Sequence, residues 1–247
     1  MKKFLGYFLS PIAIVAFLLI LCIFQPIQWL CYNLGGYKAH KRSVDILNLF
    51  LTSTAYLLFN PVKFINNQNL PIGRSIIFVA NHQSLFDIPA LIWFLRKYHA
   101  KFISKVELTK GIPSISYNLK KGGGANINRK DPRQSITELI KFAERMKNNN
   151  WSAVIFPEGT RSVDGKVKPF QSAGIATILK KCPDALIVPI AIKDSWKMIR
   201  YGLYPMVPFT PITWEVLEPI EPTTGTAEEI VQLAEKQIKE KLSPLTP

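Results

Sequence analysis

The 247-residue chain is long enough for one sizeable α/β domain with an attachment, and too short for two full domains. Its formal net charge of +14 favours an anionic partner, such as nucleic acid, acidic lipid headgroups or an acidic carrier protein. The three cysteines form no CxxC pair, which argues against a disulfide framework or a zinc site.

The first 60 residues have the composition of a membrane attachment. No charged side chain occurs between Phe4 and Tyr37. A helix over residues 4–24 would just cross a bilayer core, which takes roughly 20 residues. Pro11 and Pro26 are expected to bend or end this helix. No small-residue cleavage site follows it, which argues against a cleaved signal peptide.

A second apolar segment, residues 44–59, follows a basic stretch in which His40 is expected to be solvated. Its polar residues recur at helical spacing, which is typical of a helix lying in the membrane interface. Cations flank the first segment on both sides, so a monotopic or re-entrant attachment is favoured over a single span. We therefore predict a two-helix membrane anchor over residues 1–60 and an α/β domain over residues 61–247. The alternative is a hydrophobic helix packed on the globular core.

From residue 61 onward, short apolar strands alternate with helices. Helices are predicted over residues 84–97, after the cap Asp131 with Pro132 at the first position, and over residues 226–242. The last of these opens with the capping box of Thr226 and Glu229. Non-alternating apolar strands between helices indicate a mixed, largely parallel sheet covered by helices. Strands are predicted at residues 75–80, 101–104, 125–128, 153–156, 186–193 and 212–217, and a frayed tail at 243–247.

The sequence NHQSLFD follows the strand at 75–80 directly, where α/β sheets build their sites. With Ser84 capping the next helix, a turn would allow the Asp87 carboxylate to fix the tautomer of the His82 imidazole. The other imidazole nitrogen would then serve as a general base. This spacing alone is a weak pattern, since Asp87 could instead only support the helix N-terminus.

The sequence FPEGTRS follows the strand at 153–156 in the same way. Gly159 allows the backbone to approach a ligand closely, and Arg161 supplies a planar fork suited to phosphate. An ion pair between Glu158 and Arg161 that holds the loop is the structural alternative, and the two interpretations are compatible.

Four blocks of the chain, in order, resemble the signature blocks of the glycerolipid acyltransferases, specifically the 1-acylglycerol-3-phosphate acyltransferases. They are NHQSLFD, KVELTKGIPS with GGGANINR, FPEGTRS and IVPIAI, and they extend over residues 74–193. Ser116 stands where relatives often have Gly, and QSAG at 171–174 replaces a more basic sequence. These departures leave the reaction type intact and put the substrate or donor preference in question.

The resemblance implies a direct transfer of an acyl group from a thioester to the sn-2 hydroxyl of lysophosphatidic acid. His82 and Asp87 would be the catalytic pair. The co-substrate would be acyl-ACP or acyl-CoA, with no cofactor and no metal. The partners would be a membrane lipid, the bilayer and the acyl carrier, with no nucleic acid, and the catalytic domain would lie at the cytoplasmic face of the cell membrane. The substrate-binding residues would be Lys105, Arg129, Glu158, Gly159, Thr160 and Arg161.

Three other functions remain open at this point. The same chemistry could act on another acceptor, such as glycerol-3-phosphate or another lysophospholipid. The His82–Asp87 pair could instead activate water in a thioester or phosphate ester hydrolase. A non-catalytic basic membrane protein that recruits nucleic acid or acidic partners would leave both strand-end motifs unexplained, and no nucleic-acid module is recognisable.

Overall fold

The N-terminal region is helical throughout in the computed structural model, which describes residues 1–243. Helix α1 extends over Lys2–Ser53, and a 3₁₀ turn, Thr54–Leu58, continues it. Within α1, Gly36 alone departs from helical geometry (φ 67°, ψ −163°), a conformation that glycine adopts without a Cβ clash. Gly36 thus divides α1 into two helical arms, in agreement with two predicted helical segments, and the role of these arms as an anchor stays a prediction. Pro11 and Pro26 both lie inside the first arm, so neither of them ends it.

The two arms of α1 on either side of Gly36 pack against each other. His40 Nε2 lies 3.3 Å from Gln28 Oε1 between the arms, and His40 is completely buried. The expectation that His40 is solvated is therefore wrong, because the bend folds the basic stretch back onto the first arm. Four buried apolar side chains form a small core between the arms: Leu21, Phe24, Leu47 and Leu51.

One side of α1 packs on the rest of the protein and the other side is exposed. Ala13 joins the main hydrophobic core, and the Phe17 ring meets the Phe86 ring edge-on at 5.6 Å. Within residues 1–243, the segment Lys2–Leu58 is the one helix long and apolar enough to cross a membrane, and 22% of its most apolar window is buried. Large apolar side chains face outward at Phe4, Phe8, Ile12, Val15, Leu18, Leu19 and Ile23.

The division of the chain into an anchor, residues 1–60, and an α/β domain, residues 61–247, stays a prediction.

Seven strands form one sheet behind α1. They are β1 (Val62–Asn66), β2 (Ile76–Ala80), β3 (Ala100–Lys105), β4 (Ala125–Ile127), β5 (Ser152–Ile155), β6 (Leu186–Lys193) and β7 (Ile212–Val216). Their order is β1-β7-β6-β2-β5-β3-β4, and every neighbouring pair is parallel except β6 with β7. The predicted mixed, largely parallel sheet is confirmed. Strand β1 was not predicted, because this edge strand is only partly buried and lacks a continuous apolar run.

Helices cover both faces of the sheet. They are α2 (Asp87–Phe94), α3 (Ile115–Lys121), α4 (Pro132–Asn149), α5 (Ala173–Leu179), α6 (Ser195–Met198) and α7 (Ala227–Leu242). Helices α1 and α2 contribute to the core on one face, and α4, α5 and α7 contribute to the core on the other. The Asp131 cap of α4 and the capping box of α7 are confirmed. Of the predicted frayed tail, residues 244–247 lie outside the described residues.

Candidate active site

The two strand-end motifs meet at one edge of the sheet. Strands β2 and β5 are parallel neighbours, so the residues that follow them emerge side by side. The backbone N–H of Ser162 donates to the His82 carbonyl across a distance of 2.7 Å. The turn after β2 and the turn after β5 are therefore in direct contact.

The side chains of His82 and Asp87 form a hydrogen-bonded pair. His82 Nδ1 lies 2.9 Å from Asp87 Oδ2, and Asp87 is completely buried. The same Oδ2 accepts hydrogen bonds from the backbone N–H of Gln83 at 2.7 Å and of Ser84 at 2.8 Å. These bonds hold residues 82–86 in a turn, so α2 begins at Asp87, three residues later than predicted. Ser84 is not its cap, which is another part of the sequence prediction that the structure corrects.

Asp87 has a further partner that the sequence did not reveal. The Ser195 hydroxyl, in the short helix that follows β6, donates to Asp87 Oδ1 at 2.6 Å and is completely buried. Both carboxylate oxygens are therefore hydrogen-bonded inside the protein. Ser195 belongs to no sequence motif, and its position just after a strand next to β2 is the only signal that could have indicated it.

The His82 ring is fixed in orientation and in tautomer. It stacks on the Phe156 ring with centroids 4.1 Å apart and planes 16° apart. Because an ionised carboxylate only accepts hydrogen bonds, Nδ1 carries the hydrogen and Nε2 has the free lone pair. The side chain is 14% exposed, so part of the imidazole lies at the protein surface. This arrangement is suited to general-base chemistry.

Glu158 joins the turn after β2 to the turn after β5. Its Oε1 accepts from the backbone N–H of His82 at 2.7 Å, and its Oε2 accepts from the backbone N–H of Lys168 at 3.0 Å. Burial raises the pKa of Glu158 above its usual value, and the two N–H donors offset part of this effect. Among the ion pairs of residues 1–243 none joins Glu158 to Arg161, so that interpretation of the motif is wrong.

Cations surround the turn formed by Gly159, Thr160 and Arg161. The Arg129 guanidinium donates to the Gly159 carbonyl. Lys168 Nζ donates to Thr160 Oγ1 at 3.0 Å and to the Arg161 carbonyl at 2.8 Å. Gly159 has φ 69°, a left-handed conformation that favours glycine at this position. Lys168 was missed by sequence reasoning, since its contacts depend on the return of the loop after Gly165.

Direct contacts therefore connect most of the predicted site residues but not all of them. Lys105 lies exposed at the end of β3, two strands away from β2, and no hydrogen bond within the described chain joins it to the others. The Arg161 side chain is exposed beside the turn, and among the described residues it makes no ion pair. The geometry thus gives an oriented imidazole next to a cationic turn that suits an anionic group.

An oriented imidazole at the carboxyl edge of an α/β sheet, beside a cationic turn, is an arrangement suited to transfer onto a hydroxyl of an anionic substrate. Residues 61–193 match the family described as Acyltransferase, which is more than half of the chain, and the chain belongs to that family. The resemblance stated from the four sequence blocks is confirmed.

More particularly, the similar proteins are 1-acyl-sn-glycerol-3-phosphate acyltransferases. A chloroplastic one from Brassica napus is 36% identical over 136 residues, which cover 55% of this chain and 38% of that protein. One from Helicobacter pylori is 35% identical over 130 residues, 51% of each chain. The matched part thus spans about half, or less, of these relatives. The crystal structure of the 1-acyl-sn-glycerophosphate acyltransferase PlsC from Thermotoga maritima shares the fold, with a TM-score of 0.79 at 24% identity over 98% of this chain and 96% of that chain.

Proposed function

We propose that this protein transfers a fatty acyl group from an acyl thioester to the sn-2 hydroxyl of lysophosphatidic acid, giving phosphatidic acid. The observation that carries the proposal is the contact between the His82–Asp87 pair and the cationic turn after β5, through Glu158 and Ser162. One place then holds both the base for a hydroxyl and the charge for a phosphate.

In the proposed reaction, His82 Nε2 takes the proton of the acceptor hydroxyl as its oxygen attacks the thioester carbonyl. Asp87 stabilises the imidazolium that forms. When the tetrahedral intermediate collapses, the C–S bond breaks and the imidazolium returns the proton to the leaving thiolate. A positioned base of this kind contributes typically about 10²–10⁴-fold. The proposed reaction needs the two substrates and the His82–Asp87 pair, and neither a cofactor nor a metal is proposed.

The acceptor phosphate is proposed to bind the cationic turn. Arg161 and the backbone at Gly159 and Thr160 would contact it, with Arg129 adding charge through its position against the turn. Glu158 would order the turn rather than touch the phosphate, because both of its oxygens already accept backbone hydrogen bonds. Lys105 is proposed to contribute from the end of β3.

The exposed apolar side of α1 suits a protein whose substrate keeps its acyl tail in a bilayer. We propose that both arms of α1 attach the protein to the cytoplasmic face of the cell membrane without a span, since the inward side of the helix packs on the core. The formal charge of +14 suits both anionic headgroups and an acidic acyl carrier. The donor is proposed to be acyl-ACP or acyl-CoA.

The test is detection of phosphatidic acid by mass spectrometry after incubation with lysophosphatidic acid and either thioester. Wild type should form the diacyl product, and His82→Ala should form about 10²–10⁴-fold less. The control is Lys63→Ala, which changes an exposed cation on β1, and it should retain full activity. Equal product from His82→Ala and wild type would refute the assigned base.

The same assay separates the alternatives. A higher rate with glycerol-3-phosphate or another lysophospholipid would reassign the acceptor and leave the chemistry standing. Free fatty acid formed without any acceptor would indicate a thioester hydrolase. No turnover with any acceptor, combined with unchanged biological activity of His82→Ala, would indicate the non-catalytic function.

A further inference from the structure

The connection between β6 and β7, residues 194–211, lies at the edge of the sheet that carries His82. Strand β6 is the parallel neighbour of β2, so it ends where β2 ends, and the antiparallel β7 begins there. Ser195, at the start of this connection, contacts Asp87. The connection is therefore adjacent to the proposed catalytic pair.

The tip of this connection carries a cluster of exposed large side chains, here called the apolar rim. It consists of Tyr201, Leu203, Tyr204 and Phe209, exposed by 46%, 52%, 54% and 44%. The Phe209 ring stacks on the ring of Phe59, which is also exposed, and the two ring centroids are 5.3 Å apart. Single exposed apolar residues are ordinary, but several on one short connection indicate a candidate interaction site.

The apolar rim is continuous with the exposed side of α1. The Tyr204 and Tyr7 rings meet edge-on at 5.4 Å. The backbone N–H of Met206 donates to Ser10 Oγ at 2.7 Å. A Cβ added at Gly6 would lie 2.2 Å from the Met206 carbonyl oxygen, so only glycine permits this approach. The rim and the N-terminal end of α1 thus form one surface.

Cations lie among the aromatic rings of this surface. Lys3 Nζ is 4.8 Å from the centre of the Tyr201 ring, and Arg200 lies 6.0 Å from the same ring. Lys2 Nζ donates to the Phe209 carbonyl at 3.3 Å. Tyrosines mixed with Lys and Arg are typical of surfaces that meet the headgroup layer of an anionic membrane.

We propose that the apolar rim is a second membrane contact, which docks on an anionic lipid surface beside α1 and holds His82 at the level of the lipid headgroups. The proposal rests on the proposed function for the location of the substrate. A second copy of the chain would also cover an apolar surface, but the intermixed cations favour anionic lipid over an identical, equally cationic surface.

The test compares Leu203→Asp with Ile136→Asp in flotation with vesicles of phosphatidylglycerol and phosphatidylcholine. Ile136 is a matched control because it is 51% exposed on α4, which packs on the opposite face of the sheet. Leu203→Asp should bind vesicles about tenfold or more weakly than wild type. The variant loses the favourable free energy of transferring one leucine side chain from water into the membrane. Ile136→Asp should bind as wild type does.

A second pair of variants locates the surface directly. Leu203→Trp should show fluorescence quenched by vesicles of brominated lipid, and Ile136→Trp should show no added quenching over wild type. Equal quenching of both, or equal vesicle binding of both Asp variants, would overturn the proposal. A dimer of the wild type in detergent that Leu203→Asp dissociates would also overturn it, in favour of a second copy.

Transfer to lysophosphatidic acid in detergent micelles distinguishes this proposal from the proposed function. Leu203→Asp should retain the wild-type rate there, because no bilayer has to be contacted. Absence of transfer by every variant would refute the proposed acceptor, while the flotation and quenching results would still decide the membrane contact.

Discussion

The charge of Asp87 can be removed with little change of shape. In Asp87→Asn, the amide oxygen in the place of Oδ2 still accepts from the N–H groups of Gln83 and Ser84 and from His82 Nδ1. The amide nitrogen in the place of Oδ1 donates to the Ser195 hydroxyl oxygen, which reverses the direction of that bond. The fold and the tautomer of the imidazole are therefore expected to persist while the negative charge is lost.

The size of the effect follows from the interaction between the two charges. Imidazolium and carboxylate charges about 4 Å apart, at an effective dielectric constant of about 20, attract each other by about 4 kcal/mol. Asp87 is completely buried and His82 is 14% exposed, so little solvent screens the pair. Loss of about 4 kcal/mol of transition-state stabilisation lowers the rate about 10³-fold. We expect kcat to fall by this factor and the acceptor KM to change little.

The assay measures the initial rate of phosphatidic acid formation together with the midpoint of thermal unfolding. Asp87→Asn should lose activity and keep its midpoint. The companion Asp87→Ala should lose both, because each unsatisfied buried N–H group costs about 1–3 kcal/mol. An Asp87→Asn enzyme with more than a tenth of the wild-type kcat would refute the argument that the carboxylate acts through its charge.

Three further results are expected. Ser195→Ala removes one hydrogen bond to a charged group, worth about 1.5–3 kcal/mol, so kcat should fall by a factor on the order of 10–10² at an unchanged acceptor KM. An unchanged kcat would show that the donors on Oδ2 suffice. Glu158→Gln places an amide nitrogen against a backbone N–H, which should raise the acceptor KM and lower the unfolding midpoint together. A lower midpoint with an unchanged acceptor KM would show that Glu158 does not order the phosphate-binding turn. Burial lowers the pKa of His99 from 6.5 to about 3 and of Lys101 from 10.5 to about 7, with nearby cations adding to both shifts. The unfolded chain then binds more protons than the folded one within these windows, so the free energy of unfolding should rise with pH from about 3 to 6.5 and from about 7 to 10.5. Burial likewise lowers the pKa of His40 from 6.5 to about 4, so His40 adds to the lower rise. Urea titrations at stepped pH should show a smaller lower rise in His99→Phe and no upper rise in Lys101→Met, and rises of unchanged size in these variants would contradict the assignment.

The features that sequence reasoning predicted are those encoded in neighbouring residues. Continuous apolar runs indicated the central strands, because both faces of a parallel sheet are buried. The capping box of Thr226 and Glu229 fixed the start of α7, since both of its bonds lie within one turn. The pairing of His82 with Asp87 was predictable for the same reason: five residues and a turn bring the two side chains together.

The features that were missed depend on parts of the chain far apart in sequence. Ser195 reaches Asp87 across 108 residues, and no spacing rule connects them. Glu158 pairs with the backbone of His82 rather than with the nearby Arg161, because the adjacency of β2 and β5 presents an N–H group that a local interpretation cannot anticipate. His40 is buried because Gly36 reverses the direction of α1. In each case the deciding partner comes from the tertiary structure.

Buried side chains and hydrogen bonds connect the apolar rim to Asp87, the partner of His82. Met198 and Met206, at the two ends of the segment that bears most of the rim, are almost completely buried, and the backbone N–H of Val207 donates to the Met198 carbonyl at 2.7 Å. Ser195, one helical turn before Met198, is bonded to Asp87. Because packed cores do not deform continuously, the rim cannot shift relative to Asp87 without breaking these bonds. If the rim docks on lipid as proposed, it therefore fixes the height of the imidazole above the bilayer and does not gate its pairing with the carboxylate.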